Sequence, residues 1–201
     1  MKSRALAVTG AFEFTPEVFP DERGLFVSPF QEAAFVEAVG HPLFPVAQTS
    51  QSASARGVLR GIHFTLAPPG TAKYVHCARG SALDIVVDLR VGSPTFGVWD
   101  QVVLNGESFR SVYLPPGLGH AFVALEDDTV MSYLLSQRYR KENELALSAL
   151  DPEIGLRLPG DPALIQSERD REAPTLAKAR ALDMLPDYEE CLRIEETFRQ
   201  V

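Results

Sequence analysis

Cysteine, basic residues and long apolar runs are all scarce in this sequence, and each shortage excludes a class of protein. The two cysteines, Cys77 and Cys191, match no metal-binding spacing and are too few for a disulfide-rich domain. Asp and Glu (27) outnumber Lys and Arg (19) to give a net charge of −8, which argues against a nucleic-acid partner. No apolar run is long enough to cross a membrane, and the first residues lack the apolar stretch of a secretory signal. We therefore expect a cytoplasmic protein with two free thiols.

Short runs rich in β-branched and aromatic residues, separated by Gly and Pro, fill the first two-thirds of the 201 residues. Such spacing is typical of an antiparallel sandwich or barrel. The predicted strands cover residues 12–14, 46–48, 57–65, 74–77, 82–89, 97–104, 111–114 and 129–136. Asn105-Gly106 lies between two of these runs and predicts a hairpin turn.

Helical patterns occur early and late in the chain. Residues 29–39 predict one helix that stops at Gly40, and residues 176–185 and 188–198 predict two more, separated by Pro186. We therefore predict a mainly β protein: a barrel over residues 1–155, with a short helical C-terminal extension over residues 156–201 that belongs to the same domain.

Residues 115–120 (Pro-Pro-Gly-Leu-Gly-His) fit the second signature of the cupin barrels, Pro-x-Gly-x-x-His. In metal-binding cupins that histidine is a ligand, and a His-x-His pair lies upstream. Here the upstream segment contains only His63, and a metal site usually needs three or more well-spaced ligands. The sequence therefore predicts a cupin-type jelly-roll barrel without a metal.

Charged side chains interrupt two of the predicted strands. Arg60 and His63 have opposite strand parity, but Gly61 between them is a natural position for a bulge that would turn both into one pocket. Asp84 and Asp88 share one face of an apolar strand, where two carboxylates need partners, and Lys73, His63 or Arg60 could supply them. Taken alone, His63 could be a core histidine, Lys73 a solvated residue at a strand start, and Tyr133 a core aromatic.

Six segments in order resemble one family, the dTDP-4-dehydrorhamnose 3,5-epimerases, and more narrowly its members from natural-product pathways. They are residues 21–26 (Asp-Glu-Arg-Gly-Leu-Phe), 57–64, 82–90, 92–97, 116–122 and 167–170 (Ser-Glu-Arg-Asp). The resemblance runs from about residue 12 to 186. It implies inversion of C5 and/or C3 of a dTDP-4-keto-6-deoxyhexose in deoxysugar biosynthesis, with no cofactor and no metal.

The resemblance also implies roles for individual residues. His63 matches the catalytic base, Asp170 the carboxylate paired with it, Tyr133 the general acid, and Lys73 the cation beside the C4 oxygen. The matches to substrate and diphosphate contacts are Arg23, Phe26, Gln48, Arg60, Asp84, His120, Glu144 and Arg169, and Tyr139 matches the ring stacked on thymine. Because Arg23 crosses a subunit interface in the family, the resemblance implies a homodimer.

Two positions depart from the family pattern. Ser50 stands where the family usually has asparagine, and Ser28 where it usually has glutamate; both concern the nucleotide end. Three alternatives stay open at this point. One is a C3-only epimerase, another is a non-catalytic ligand-binding cupin, and the third is a metal-dependent cupin oxygenase.

Overall fold

The computed structural model describes residues 1–160 and 163–200, so residues 161, 162 and 201 of the predicted C-terminal extension lie outside the described residues. Thirteen strands and four α-helices are found in these ranges. The strands are β1 Lys2–Ala5, β2 Phe12–Thr15, β3 Val18–Asp21, β4 Gly24–Val27, β5 Gln48–Ser54, β6 Leu59–Thr65, β7 Lys73–Arg79, β8 Ser81–Asp88, β9 Trp99–Asn105, β10 Ser111–Leu114, β11 Leu118–Ala124, β12 Thr129–Leu135 and β13 Glu144–Ala146. The helices are α1 Glu32–Val39, α2 Glu168–Arg171, α3 Leu176–Ala181 and α4 Tyr188–Glu196, and a 3-10 helix, Thr197–Gln200, follows α4.

The strands form two large antiparallel sheets and one separate hairpin. The six-stranded sheet has the order β1-β2-β10-β7-β12-β5, and the five-stranded sheet has the order β13-β6-β11-β8-β9. Strands β3 and β4 pair only with each other. Chain segments pass repeatedly from one large sheet to the other, so the predicted mainly β, jelly-roll barrel is confirmed.

Inward-facing side chains of the two sheets form the central core. Val75 and Met131 of the six-stranded sheet lie in one buried cluster with Val86, Val102 and Phe122 of the five-stranded sheet. The alternation of strand residues places every second side chain in this layer. On β8 the inward set is Ala82, Asp84, Val86 and Asp88, so two carboxylates point into the barrel.

The outer faces of both sheets are also covered. Phe35 of α1 and Phe198 of the 3-10 helix pack with Phe14, Tyr74 and Tyr113 outside the six-stranded sheet. The segment that contains Leu147, Ala149 and Ile154, followed by α3, covers the outward residues of the five-stranded sheet. This double burial explains why β8 and β11 are buried along their whole length. No helix in the described ranges is long and apolar enough to cross a membrane.

Three expectations about the strands were wrong. Residues 46–48 do not form a strand; β5 begins at Gln48 and runs through a polar, alternating segment that suits an edge strand with one exposed face. Asn105-Gly106 does not close a hairpin, because β9 and β10 lie in different sheets. The Asn105 side chain instead accepts hydrogen bonds from the backbone of Glu107 and Ser108. The third error was one of omission: β1, β3, β4 and β13 were not predicted, and residues 118–124, read only as a signature that follows a strand, form β11.

Candidate active site

A cavity of about 360 Å³ lies between the two large sheets at one end of the barrel. Seven of the thirteen predicted site residues line it: Arg60, His63, Lys73, His120, Tyr133, Tyr139 and Glu144. A second cavity, of about 670 Å³, shares part of this lining, including Thr71, Arg138 and Glu144. The barrel therefore offers a polar chamber with room beside it for a larger ligand.

The predicted bulge in β6 is confirmed. His120 of β11 pairs with His63, but Phe122 pairs with Arg60, so β6 carries one extra residue between the two pairs. Gly61 occupies this point with φ +112°, and a Cβ there would lie 2.5 Å from the His120 carbonyl oxygen. Only glycine fits this close approach of the two strands. The bulge places Arg60 and His63 in the same cavity despite their opposite parity.

His63 and Asp170 form a hydrogen-bonded pair across 107 positions of sequence, with 2.7 Å between Nε2 and Oδ1. The short helix α2 presents the aspartate, and the Ser167 side chain caps this helix by accepting a hydrogen bond from the Asp170 backbone. Burial alone would raise the pKa of Asp170, but the hydrogen bond and charge of His63 outweigh it and lower that pKa. With Nε2–H donated to the carboxylate, Nδ1 carries the lone pair that can accept a proton.

Tyr133 enters the cavity from β12, in the sheet opposite His63. Burial raises the pKa of its phenol well above the ordinary value; the Asp84 carboxylate acts in the same direction, while Ser52 and Arg60 oppose it. The hydroxyl is therefore protonated at neutral pH. Across the cavity, the five-stranded sheet contributes a basic imidazole and the six-stranded sheet an acidic phenol.

Lys73 begins β7 and projects into the same chamber with 8% of its surface exposed. Burial lowers the pKa of its ammonium, and the Glu144 and Asp84 carboxylates partly oppose that effect. A cation held out of water interacts strongly with any negative charge that develops next to it. Lys73 therefore stands where it can stabilise an anionic oxygen between the two sheets.

The hydrogen-bond partners of the two β8 carboxylates differ from those foreseen. Asp84 accepts a hydrogen bond from His120, with 2.7 Å between Oδ2 and Nε2, and of the foreseen partners Lys73 interacts with it through charge. Asp88 does not belong to the cavity at all. It accepts hydrogen bonds from Arg90, Ser93 and Thr95, and the Asp88–Arg90 ion pair is fully buried. The four-residue spacing placed both carboxylates inside the barrel, but at different depths along its axis.

Residues predicted to contact the nucleotide surround the cavity mouth. The Gln48 side chain accepts a hydrogen bond from the Tyr139 backbone and donates one to Ser50. Arg169 donates to the Glu144 carbonyl oxygen and lines a third cavity, of about 460 Å³, on the other side of His63. Ser50, which departs from the family pattern, is thus hydrogen-bonded to Gln48, and Gln48 in turn orients Tyr139.

Arg23 and Phe26, also predicted site residues, do not line the cavities described above. They lie on the β3–β4 hairpin, where Phe26 is 67% exposed and Arg23 pairs with Asp21 at the surface. Phe19 and Leu25 on the same hairpin are each 51% exposed. The hairpin presents an apolar surface that no other part of the described chain covers.

The family model described as dTDP-4-dehydrorhamnose 3,5-epimerase matches residues 5–178, most of the chain. The chain belongs to the dTDP-4-dehydrorhamnose 3,5-epimerase family. It is therefore a carbohydrate epimerase, an isomerase. The match includes every predicted site residue and all strands of the barrel except most of β1.

Relatives of this epimerase include enzymes named for one and for two inverted centres. A dTDP-4-dehydrorhamnose 3,5-epimerase of Mycolicibacterium smegmatis is 48% identical over 100% of this chain and 98% of its own length. A dTDP-4-dehydrorhamnose 3-epimerase of Streptomyces niveus is 47% identical over 95% and 91%. The crystal structure of a 3'-monoepimerase from Streptomyces bikiniensis in complex with dTDP-quinovose superimposes with a TM-score of 0.92, at 43% identity over 98% and 100%.

Among the cavity residues of the epimerase that sequence reasoning missed are Ser52, Phe122 and Leu135. Strand parity carried the signal for two of them, because Phe122 follows His120 by two positions and Leu135 follows Tyr133 by two. Ser52 faces the Tyr133 phenol from β5, a strand whose polar sequence hid it. No group of three His, Cys, Asp or Glu side chains within residues 1–160 and 163–200 could hold a metal ion.

Proposed function

We propose that this epimerase inverts C5 and/or C3 of a dTDP-4-keto-6-deoxyhexose in deoxysugar biosynthesis, using His63 as base and Tyr133 as acid. The observation that carries the proposal is their placement. The His63–Asp170 pair belongs to the five-stranded sheet side and Tyr133 to the opposite sheet, and Lys73, buried beside Tyr133's strand, lines the same cavity. A sugar ring between the sheets would meet a base on one face and an acid on the other.

The chemistry follows from the C4 ketone of such a substrate. The ketone acidifies the hydrogen on each neighbouring carbon, so His63 Nδ1 can remove it, and the electron pair moves onto the C4 oxygen. The Lys73 ammonium stabilises that enolate, the largest electrostatic contribution in reactions of this kind. Tyr133 then delivers a proton to the other face of the same carbon. Only protons move, so the reaction needs neither a redox cofactor nor a metal.

The residues at the cavity mouth are assigned to the nucleotide. Arg60 and Arg169 supply positive charge for the diphosphate in a protein whose net charge is −8. Tyr139 is 56% exposed and its position is set by Gln48, which leaves its ring face available for stacking on thymine. His120 and Glu144 line the chamber between this end and the sugar.

We assign the β3–β4 hairpin to a homodimer interface. Phe19 and Phe26 pair across the hairpin and share one of its faces, and Leu25 lies on the other; all three are exposed, on a hairpin that pairs with nothing else in the described chain. In the proposed dimer this hairpin carries Arg23 and Phe26 to the nucleotide end of the partner's site. We also propose a cytoplasmic location, because two free cysteines, Cys77 and Cys191, suit a reducing compartment.

The test is incubation with dTDP-4-keto-6-deoxyglucose in heavy water, followed by NMR of the sugar. Deuterium should appear at each carbon that the enzyme inverts, so the labelled positions identify C3, C5 or both. His63→Asn should lose ring-hydrogen exchange and epimerisation together, because no enolate forms without the base. A His63→Asn enzyme that still exchanges at the wild-type rate would show that another group is the base.

A further inference from the structure

Asp84 is a buried carboxylate with only half of its hydrogen-bonding capacity used. Its side chain has no exposed surface, and Oδ2 accepts the hydrogen bond of His120 at 2.7 Å. Oδ1 is equally buried and has no hydrogen-bond partner in the described part of the chain. A buried carboxylate with one unpaired oxygen lowers the stability of the fold, unless its negative charge interacts with a positively charged group.

Lys73 is the complementary case. Its ammonium is nearly buried, and it makes no hydrogen bond or ion pair with any residue that the structure describes. Burial lowers the pKa of Lys73, and the charges of Glu144 and Asp84 act against this. Glu144 is half-buried at the mouth, whereas Asp84 is fully screened from water, so bound substrate and solvent affect Asp84 less.

The same carboxylate fixes His120. The ring of His120 stands edge-on to the Tyr133 ring, with 6.0 Å between the centroids. Donation of Nε2–H to Asp84 sets the tautomer and leaves Nδ1 of His120 as an acceptor. Asp84 therefore contacts His120, which packs on the predicted acid Tyr133. Its carboxylate also favours the charged form of Lys73, the predicted enolate-stabilising cation.

We propose that Asp84 is a positioning residue for the epimerisation: it orients His120 through one oxygen and keeps the Lys73 ammonium charged inside the barrel. This rests on the proposed role of Lys73 as the cation beside the C4 oxygen. The titratable and charged groups that line the chamber with Lys73 are Glu144, His63, His120, Tyr133, Tyr139, Arg60 and Arg138, and Asp84 acts on Lys73 from the barrel interior. Of these, only Asp84 is a carboxyl group whose side chain is fully buried.

The experiment uses NMR of protein labelled with ¹³C at the lysine Cε. The chain has four lysines. Besides Lys73 they are Lys2, Lys141 and Lys178, which are exposed and serve as internal references. Lys73→Met assigns the Lys73 signal. Asp84→Asn should move the midpoint of the Lys73 titration to lower pH and leave the other three unchanged. The alkaline limb of the solvent-exchange rate should move to lower pH with it.

His120→Gln is the matched control, because it removes the partner of Asp84 and keeps the carboxylate; the Lys73 midpoint should not fall. If Asp84→Asn does not fold, Asp84→Ser gives the same comparison. An unchanged Lys73 midpoint in a folded Asp84 variant would overturn the inference. Failure of the proposed function would give a different result: the Lys73→Met enzyme would exchange the ring hydrogen of the sugar at the wild-type rate.

Discussion

His63 and Tyr133 differ in their surroundings in the way that the proposed base and acid require. The His63 side chain is 31% exposed and has a carboxylate on Nε2, so it can exchange its proton with water after each turnover. The Tyr133 phenol lies deeper, where burial raises its pKa. Such a phenol is a weak acid and donates only to a strongly basic partner, such as the carbon of an enolate.

Asp170→Asn should lower kcat by about 10²–10⁴-fold with little change in KM. The amide can present either an oxygen or a nitrogen to Nε2, so the tautomer of His63 is no longer fixed and the forming imidazolium loses its counter-charge. Steady-state kinetics on the keto sugar measures the effect. Glu168→Gln removes a charge from the exposed surface of the same helix and should leave kcat unchanged; equal losses in both variants would mean that helix α2 itself had been disturbed.

Among single residues, sequence reasoning alone found the bulge at Gly61 but could not pair His63 with Asp170. The bulge has a local cause, since a glycine stood between two polar residues of opposite parity. The pair joins residues 107 positions apart, and the cap at Ser167 that aims Asp170 is visible only once α2 is placed against β6. Family resemblance supplied that pairing; composition and periodicity did not.

At the scale of the element, the backbones of strands β6 and β11 approach each other closely at Gly61. The positions of His63 and His120 depend on this close approach, because the two residues are paired across β6 and β11 next to the bulge. A side chain at position 61 would collide with backbone rather than with a flexible side-chain end. The strands would have to separate, and both imidazoles would move.

Gly61→Ala should therefore destabilise the protein by about 1–3 kcal/mol or more and remove most activity. Gly97→Ala is the matched control: φ is also positive there, at +78°, but nothing lies within 4 Å of the added Cβ. Chemical denaturation of both variants separates backbone strain from collision. If Gly97→Ala costs as much as Gly61→Ala, the close approach of β11 does not explain the requirement for glycine.

Helix α4 docks onto the six-stranded sheet through a buried polar cluster. His41 donates through Nδ1 to the Pro42 carbonyl oxygen at 2.6 Å and through Nε2 to Glu195 of α4 at 3.3 Å, and the Tyr113 hydroxyl donates to the same Glu195 oxygen. Burial alone would lower the pKa of His41, but the hydrogen bonds to Glu195 and Pro42 outweigh it and raise that pKa. Arg199 opposes the charged form.

A raised pKa means that the folded state binds the His41 proton more tightly than the unfolded chain. The stabilisation is complete below the unfolded value of about 6.5 and is lost as pH rises through the folded-state pKa. Glu195→Gln should therefore cost about 1–3 kcal/mol near pH 5.5 and less near pH 9, measured by urea unfolding. Glu196→Gln, at the exposed neighbouring position, should show no such pH dependence. A cost for Glu195→Gln that does not change with pH would contradict the charged pair.

At the scale of the whole molecule, function depends on which sheet receives each strand. The base and acid face each other only because β6 and β12 belong to different sheets. Local sequence carries little of this information: Asn105-Gly106 looks like a hairpin turn, yet it passes the chain from one sheet to the other. The fold class followed from spacing and composition, whereas the assignment of each strand to one of the two sheets did not.

The proposed dimer gives another test at this scale. Leu25→Ser should convert dimer to monomer and weaken dTDP binding, because the hairpin loses apolar contact area and no longer delivers Arg23 and Phe26. Leu150→Ser is the matched control, since Leu150 is 60% exposed and Leu25 51%. Light scattering after gel filtration gives the mass, and calorimetry the affinity. A wild-type protein that is monomeric at working concentrations would refute the interface.

The central claim is that two groups on opposite sheets divide the movement of protons. Tyr133→Phe retains His63, Asp170, Lys73 and the binding residues, so the enolate should still form. His63 would then return a proton to the face from which it came. Tyr113→Phe removes a buried phenol outside the cavity and serves as the control for loss of a tyrosine hydroxyl.

The most direct measurement compares, for Tyr133→Phe in heavy water, deuterium incorporated with unchanged configuration against inverted product. Inversion should fall by about 10²–10⁴-fold, while deuterium continues to enter the recovered substrate at the original face. Tyr113→Phe should show the wild-type ratio of exchange to inversion. If Tyr133→Phe inverts the sugar at nearly the wild-type rate, water or another side chain is the acid, and the two-sheet division of labour is wrong.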